Sequence, residues 1–246
     1  MTTSTTLPPP IQAALDAAVA ALKKTLGENL QSLLLYGSAV RGNLQAGVSD
    51  LNLLILLEAS TPDAHAAIAD AIRGPVRIEP FILGRDLLAR SMQAFAVKFL
   101  SIRRNYRVLH GADPFADLVI DESLAKFLCE QAVRNLRLRC VRAFVVLGHD
   151  RPRYSAFLAK LSSALFTDLA EALRRVGTEI PRAYEERIPV LGKAFGADGS
   201  VLRDLLALKA SPRTLSAAET KEFHSRLFKL LDAAVRWMEA QWPPLR

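Results

Sequence analysis

The sequence predicts an α+β protein: a mixed sheet with covering helices in the first half, followed by an all-helical bundle. Short, continuously apolar runs at 32–36 and 51–57 have the length and texture of buried strands. Helical and strand-like patterns then alternate as far as Phe81, which indicates a layered sheet-and-helix unit and not a bundle. Beyond Asp121 the strand texture stops, and long helical periodicities follow one another to Trp242.

The elements follow in order. Ile11, Leu15, Val19, Leu22 and Leu26 recur at helical spacing, with Pro10 before them and Gly27 after as helix punctuation. Ser32 to Tyr36 is the first strand and runs into Gly37; Leu51 to Leu57 is the second. Thr61 is placed as an N-cap with Pro62 at the first helical position, and Gly74 closes that helix. Val76, Ile78 and Phe81 suggest a third strand. Pro80 would cost it a ladder hydrogen bond, so this strand should lie at a sheet edge or end near Glu79. A helix over 85–102 and a short strand over 107–110 precede the turn at Gly111 to Pro114.

The helical half is expected as four long helices, at 122–147, 154–176, 183–195 and 216–242. The domain division read from these shifts is a disordered Thr- and Pro-rich tail at 1–10, a sheet-containing domain at 11–116, and a helical bundle at 117–246.

Bulk properties narrow the setting. The chain has 246 residues, half of them hydrophobic, which suits a buried core, and a formal net charge of +7 that favours an anionic partner. Cys129 and Cys140 fall on one predicted helix, about 16 Å apart along its axis, too far to form a disulfide within it. Buried, reduced thiols imply a cytoplasmic location. The first residues form neither a secretory signal nor an anchor, and no apolar run approaches the roughly 20 residues of a membrane span.

The chemistry concentrates between Leu33 and Leu57. A strand delivers Tyr36, then Gly37-Ser38-Ala39-Val40-Arg41-Gly42 turns into a short helix, and Ser49-Asp50-Leu51-Asn52 opens the next strand. Glycine lets backbone approach a phosphate, and amides at a helix start point their N–H groups at an anion. Asp50 and Asn52, two apart, face the same side of a strand. Asp50 can then hold Mg²⁺ against phosphates cradled by the turn.

With these residues the segment resembles the DNA polymerase beta-like nucleotidyltransferase superfamily, which includes the small antibiotic nucleotidyltransferases. That family carries Gly-Ser after a hydrophobic residue, then Asp-x-Asp or Asp-x-Glu, and a third carboxylate on a later strand. Gly37, Ser38 and Asp50 fit the pattern, Arg41-Gly42 stands where many small members have Arg-Gly, and Glu79 is the candidate third carboxylate. The resemblance implies an NTP with Mg²⁺ or Mn²⁺, phosphates held by Gly37, Ser38 and Arg41, and a metal site of Asp50, Asn52 and Glu79. Asp50 and Glu79 would be catalytic, with Glu79 also able to act as base. It further implies transfer of a nucleoside monophosphate to a small-molecule, protein or RNA acceptor, and it is compatible with a homo-oligomer.

Asn52 departs from the pattern. Two metal ions clamp the attacking and leaving oxygens in such sites, and a neutral amide cannot bridge them as a carboxylate does. Losing a charge about 4 Å from a cation costs on the order of 4 kcal/mol at an effective dielectric near 20. The alternative is therefore a catalytically silent module of the same fold that binds a nucleotide, RNA or a protein.

Other features are read more plainly. Arg142 and His149 fit the loose Arg-x4-6-His pattern of HEPN ribonucleases, and so do Arg104 and His110. The arginines at 103, 104, 107, 134, 137 and 142 suit a solvated face better than an RNA path, since only Tyr106 is placed for base stacking. Lys98, His65 and His224 read as exposed helix residues, and Trp237 and Trp242 as a seal on the last helix.

Overall fold

The computed structural model describes residues 7–42 and 50–242. The chain divides into two compact units, Met1–Ile120 and Asp121–Arg246.

The first unit is built on a four-stranded mixed sheet of β1 (Leu30–Tyr36), β2 (Leu51–Leu57), β3 (Ile78–Gly84) and β4 (Tyr106–Gly111), in the order β3-β2-β1-β4. β1 pairs antiparallel with both β2 and β4, whereas β2 pairs parallel with β3. A parallel pairing needs a crossover. Helix α3 (Pro62–Ala71) supplies it, capped by the Thr61 hydroxyl, which accepts from the Ala64 amide. β3 lies at the sheet edge, one of the two arrangements that Pro80 allows, and it runs on to Gly84 and does not end near Glu79.

Side-chain alternation gives the sheet two apolar faces. Leu33, Leu35, Leu51, Leu53, Ile55 and Leu57 pack with Leu15, Leu22 and Leu26 of α1 (Pro9–Leu26) and Ile68 of α3. Leu34, Tyr36 and Leu54 point the other way, onto Phe99 and Ile102 of α5 (Ala96–Arg104), with Phe115 and Leu118 beyond. Fully burying each such leucine contributes about 1.5–3 kcal/mol, so the central strands are the firmest part of this unit.

Two details differ from the expectation. α1 starts at Pro9, and Leu7 before it is buried, so the apolar stripe reaches into the stretch read as a tail. The helix expected over 85–102 is two helices, α4 (Arg85–Ala94) and α5, broken at Phe95 with φ −112° and ψ 34°. The short helix after Gly37 is α2 (Ser38–Arg41).

The second unit is all helical: α6 (Glu122–Leu147), α7 (Arg151–Arg174), α8 (Tyr184–Phe195), α9 (Ser200–Ala210) and α10 (Ala217–Gln241). α9 was not among the expected helices. Its buried Val201, Leu202, Leu205 and Leu208 carry the helical spacing. Cys129 and Cys140 are buried on α6 and form no disulfide, and burial pushes the Cys140 thiol up to about 12. Among the described residues no helix is long and apolar enough to cross a membrane.

Candidate functional site

β1 ends at Tyr36, and the chain turns at Gly37 with φ 85° before α2 begins at Ser38. The left-handed backbone is one reason for glycine there. The other is space: a Cβ at Gly37 would stand 3.0 Å from Nδ2 of Asn52. Gly37 O accepts from the amides of Val40 and Arg41, both at 3.2 Å, and Gly42 at φ 81° ends the helix. Arg41 is the last residue of α2 and partly buried. Ser49 lies outside the described residues.

The sheet register then lines up three side chains. Tyr36 is opposite Asn52 across β1–β2, and Asn52 is opposite Glu79 across β2–β3. Register partners share a face, so Tyr36, Asn52 and Glu79 form a row across three strands, about 4.8 Å from strand to strand. The tyrosine senses this arrangement. Burial first, and then the Glu79 charge, push its phenol up to about 12.

Asp50 sits just before β2 on the same side as Asn52. The Leu51 amide donates to Arg77 O at 2.9 Å and fixes the start of the β2–β3 pairing. The Arg77 side chain then spans two acids, with Nε 3.4 Å from Asp50 Oδ1 and Nη2 3.5 Å from Glu79 Oε2. Asn52 Nδ2 donates to the Asp50 carbonyl at 3.3 Å. Asp50 and Glu79 are thus joined through one guanidinium, and Asn52 ties Asp50 to the Gly37 turn.

Sequence alone places Lys98 of α5 on the solvent side of its helix, yet Nζ stands 5.4 Å from the Tyr36 ring centroid and 5.0 Å from that of Phe81. The ammonium therefore lies over the Tyr36 and Phe81 rings. The apolar spacing of Phe99 and Ile102 sets the face of α5, and it alone does not reveal that a long side chain on its border folds back onto the sheet.

The donor set suits one hard cation better than two. Asp50 and Glu79 offer two carboxylates that already enclose a positive charge, and phosphate oxygens could complete a divalent ion's coordination. Asn52 brings a neutral amide whose nitrogen is engaged with Asp50 O, so no carboxylate bridges between two ions. Among the described residues no group of three or more His, Cys, Asp or Glu side chains is arranged to hold a metal.

No family model and no curated protein matches the chain. Among solved structures, the fold matches the spectinomycin adenyltransferase of Enterococcus faecialis, solved with ATP and spectinomycin. The match has a TM-score of 0.52 and spans 93% of this chain and 99% of that one, at 14% sequence identity. The chain shares its fold with a nucleotidyltransferase. At this identity the nucleotidyltransferase fold is what the likeness establishes, so residue roles rest on the local geometry.

Several of the other candidates have structural partners. Arg134 pairs with Glu130 and Glu239, and Arg137 pairs with Asp232 and stacks on Phe228, so both fasten α6 to α10. Arg103 and Arg104 donate to the carbonyls of Leu118 and Leu100. His149 lies past the end of α6, so it does not share a helical face with Arg142. His224 is not an exposed residue: it stacks on Phe144 with centroids 3.9 Å apart. His65 is exposed and bonded to the Ser60 hydroxyl.

Proposed function

We propose that the first unit binds a nucleoside triphosphate with one divalent cation, Mg²⁺ or Mn²⁺, and transfers its nucleoside monophosphate to a hydroxyl acceptor. The observation that carries this reading is the approach of Asp50 and Glu79 to a common cation beside the glycine turn. In this reading the amides after Gly37 and the Ser38 hydroxyl hold phosphate oxygens, and Arg41 adds charge from the end of α2. Asp50 and Glu79 hold the cation, which would screen the triphosphate and withdraw electrons from the reacting phosphorus. Glu79 takes the acceptor proton as the new O–P bond forms, the bond to the β-phosphate breaks, and pyrophosphate leaves.

The structural neighbour was solved with ATP and a small-molecule acceptor, which favours a small hydroxyl compound over RNA or protein here. The commitment of Arg134 and Arg137 to α6–α10 pairs also removes two members of the proposed RNA path. A second reading, a silent nucleotide-binding module, draws on Asn52, whose amide is engaged in holding Asp50 and not in a carboxylate's role.

Pyrophosphate release from NTPs with Mg²⁺ or Mn²⁺, measured beside Asp50→Ala and Asn52→Asp, separates the readings. Slow wild-type turnover that Asp50→Ala abolishes and Asn52→Asp raises is the expected result. Nucleotide binding without turnover in wild type and Asn52→Asp would favour the silent module. Nucleotide binding indifferent to Asp50→Ala would remove the site.

A further inference from the structure

Arg77 has no part in the resemblance, yet it is the residue to which both acids turn. Its side chain is 72% exposed, so it is held by Asp50 and Glu79 and not by packing. Nε and Nη2 face the two carboxylates, so Nη1 is the guanidinium nitrogen that neither of these two pairs engages, on a side chain that is largely exposed. A guanidinium matches phosphate oxygens in two-pronged geometry, and no other side chain does this as well.

The charges favour a specific role. Three carboxylates with two divalent cations present one net positive charge to a phosphate. Two carboxylates with one divalent cation and one guanidinium present the same. Replacing a carboxylate by Asn52 and an ion by Arg77 therefore leaves the net charge of the site unchanged while the metal count falls. The pairing that holds Arg77 is solvent-exposed and hence weak, so the guanidinium can turn from the acids to a phosphate at small cost.

We propose that Arg77 is the phosphate-positioning residue of this site, standing in for a second metal ion, so that the chain takes up one divalent cation with each triphosphate and not two. This rests on the reading of Asp50 and Glu79 as cation-holding acids under Proposed function.

The test is binding, with the full chain. Mn²⁺ stoichiometry is measured by electron paramagnetic resonance in the presence of a non-hydrolysable ATP analogue, and affinity for the analogue by calorimetry. One Mn²⁺ per chain is expected in the wild type. Arg77→Gln should weaken the analogue about tenfold or more, and Arg77→Lys, a point charge without the fork, should recover only part of that. Asn52→Asp should admit a second Mn²⁺ and shrink the effect of Arg77→Gln to about threefold or less. Two Mn²⁺ per wild-type chain, or Arg77→Gln binding within twofold of wild type, would overturn the proposal. Asp50→Ala separates the two failures. If it abolishes Mn²⁺ and analogue binding while Arg77→Gln is silent, only the role of Arg77 falls. If Asp50→Ala leaves both unchanged, the site itself falls, and Arg77 with it.

Discussion

The amide of Asn52 lies against Gly37 so closely that a single methyl group on the glycine would touch it, at 3.0 Å. The strand residue and the turn residue are therefore one unit, held from the other side by the bond from Asn52 Nδ2 to the Asp50 carbonyl.

Gly37→Ala is expected to destabilise the protein by about 1–3 kcal/mol, because φ 85° is strained for an L side chain and the Cβ meets Asn52. Urea denaturation measures the loss. Nucleotide affinity should fall with it, since the α2 amides take their direction from this turn. Unchanged stability would mean that the turn relaxes freely.

Asn52→Asp should have opposite effects with and without metal. Alone, the new carboxylate stands between Asp50 and Glu79 and loses the bond to the Asp50 carbonyl, at a cost of about 1–3 kcal/mol. Mn²⁺ should restore thermal stability to the variant more than to the wild type, because the ion binds the folded state preferentially. Thermal melts across a Mn²⁺ series read this directly; equal metal responses would count against a shared cation site.

Arg187 tests the helical unit. It is buried at 4% exposure and donates to Pro181 O at 2.8 Å, Arg182 O at 3.2 Å and Phe166 O at 3.4 Å, with its guanidinium over the Tyr184 ring. It thus ties the 181–182 segment and α8 to α7. Arg187→Met strands those carbonyls and should cost about 2–4 kcal/mol by chemical denaturation. Nucleotide binding by the first unit should be untouched.

His224 should give a pH signature. Burial against Phe144 lowers its pKa from the usual 6.5, so protonation favours the unfolded chain. This contribution is intact above about 6.5 and is lost as pH falls from there through the lowered folded value. Denaturation midpoints measured from pH 7.5 to 5 should decline less in His224→Phe than in the wild type. Parallel declines would show that other groups set the slope.

Much of the fold is legible in the sequence, because apolar texture is a local property. β2 has the bounds that its leucine run dictates, and Pro80 limits β3 to an edge or an early end, of which the fold takes the edge. The break at Phe95 is less visible: Gln93 and Ala94 are ordinary helix residues, with no proline or glycine to mark a stop. α9 had a readable stripe in Val201, Leu202, Leu205 and Leu208, hidden by its shortness between longer neighbours. At the candidate site, the alternation of Asp50 and Asn52 is readable, but the reach of Arg77 to one acid just before β2 and another on β3 is not. It depends on how β2 and β3 align, and alignment is a property of the folded pair.

That alignment ties function to strand register. Glu79 stands beside Asn52 because β2 and β3 pair in one register after the α3 crossover. A slip of one residue in that pairing would turn the acid to the opposite side of the sheet, among the leucines that meet α1. A slip of two would keep its side but carry it about 6.6 Å along the strand, out of partnership with Asp50. Length changes that the loops around α3 absorb leave the acid pair in place, whereas any change that slides β3 along β2 separates it.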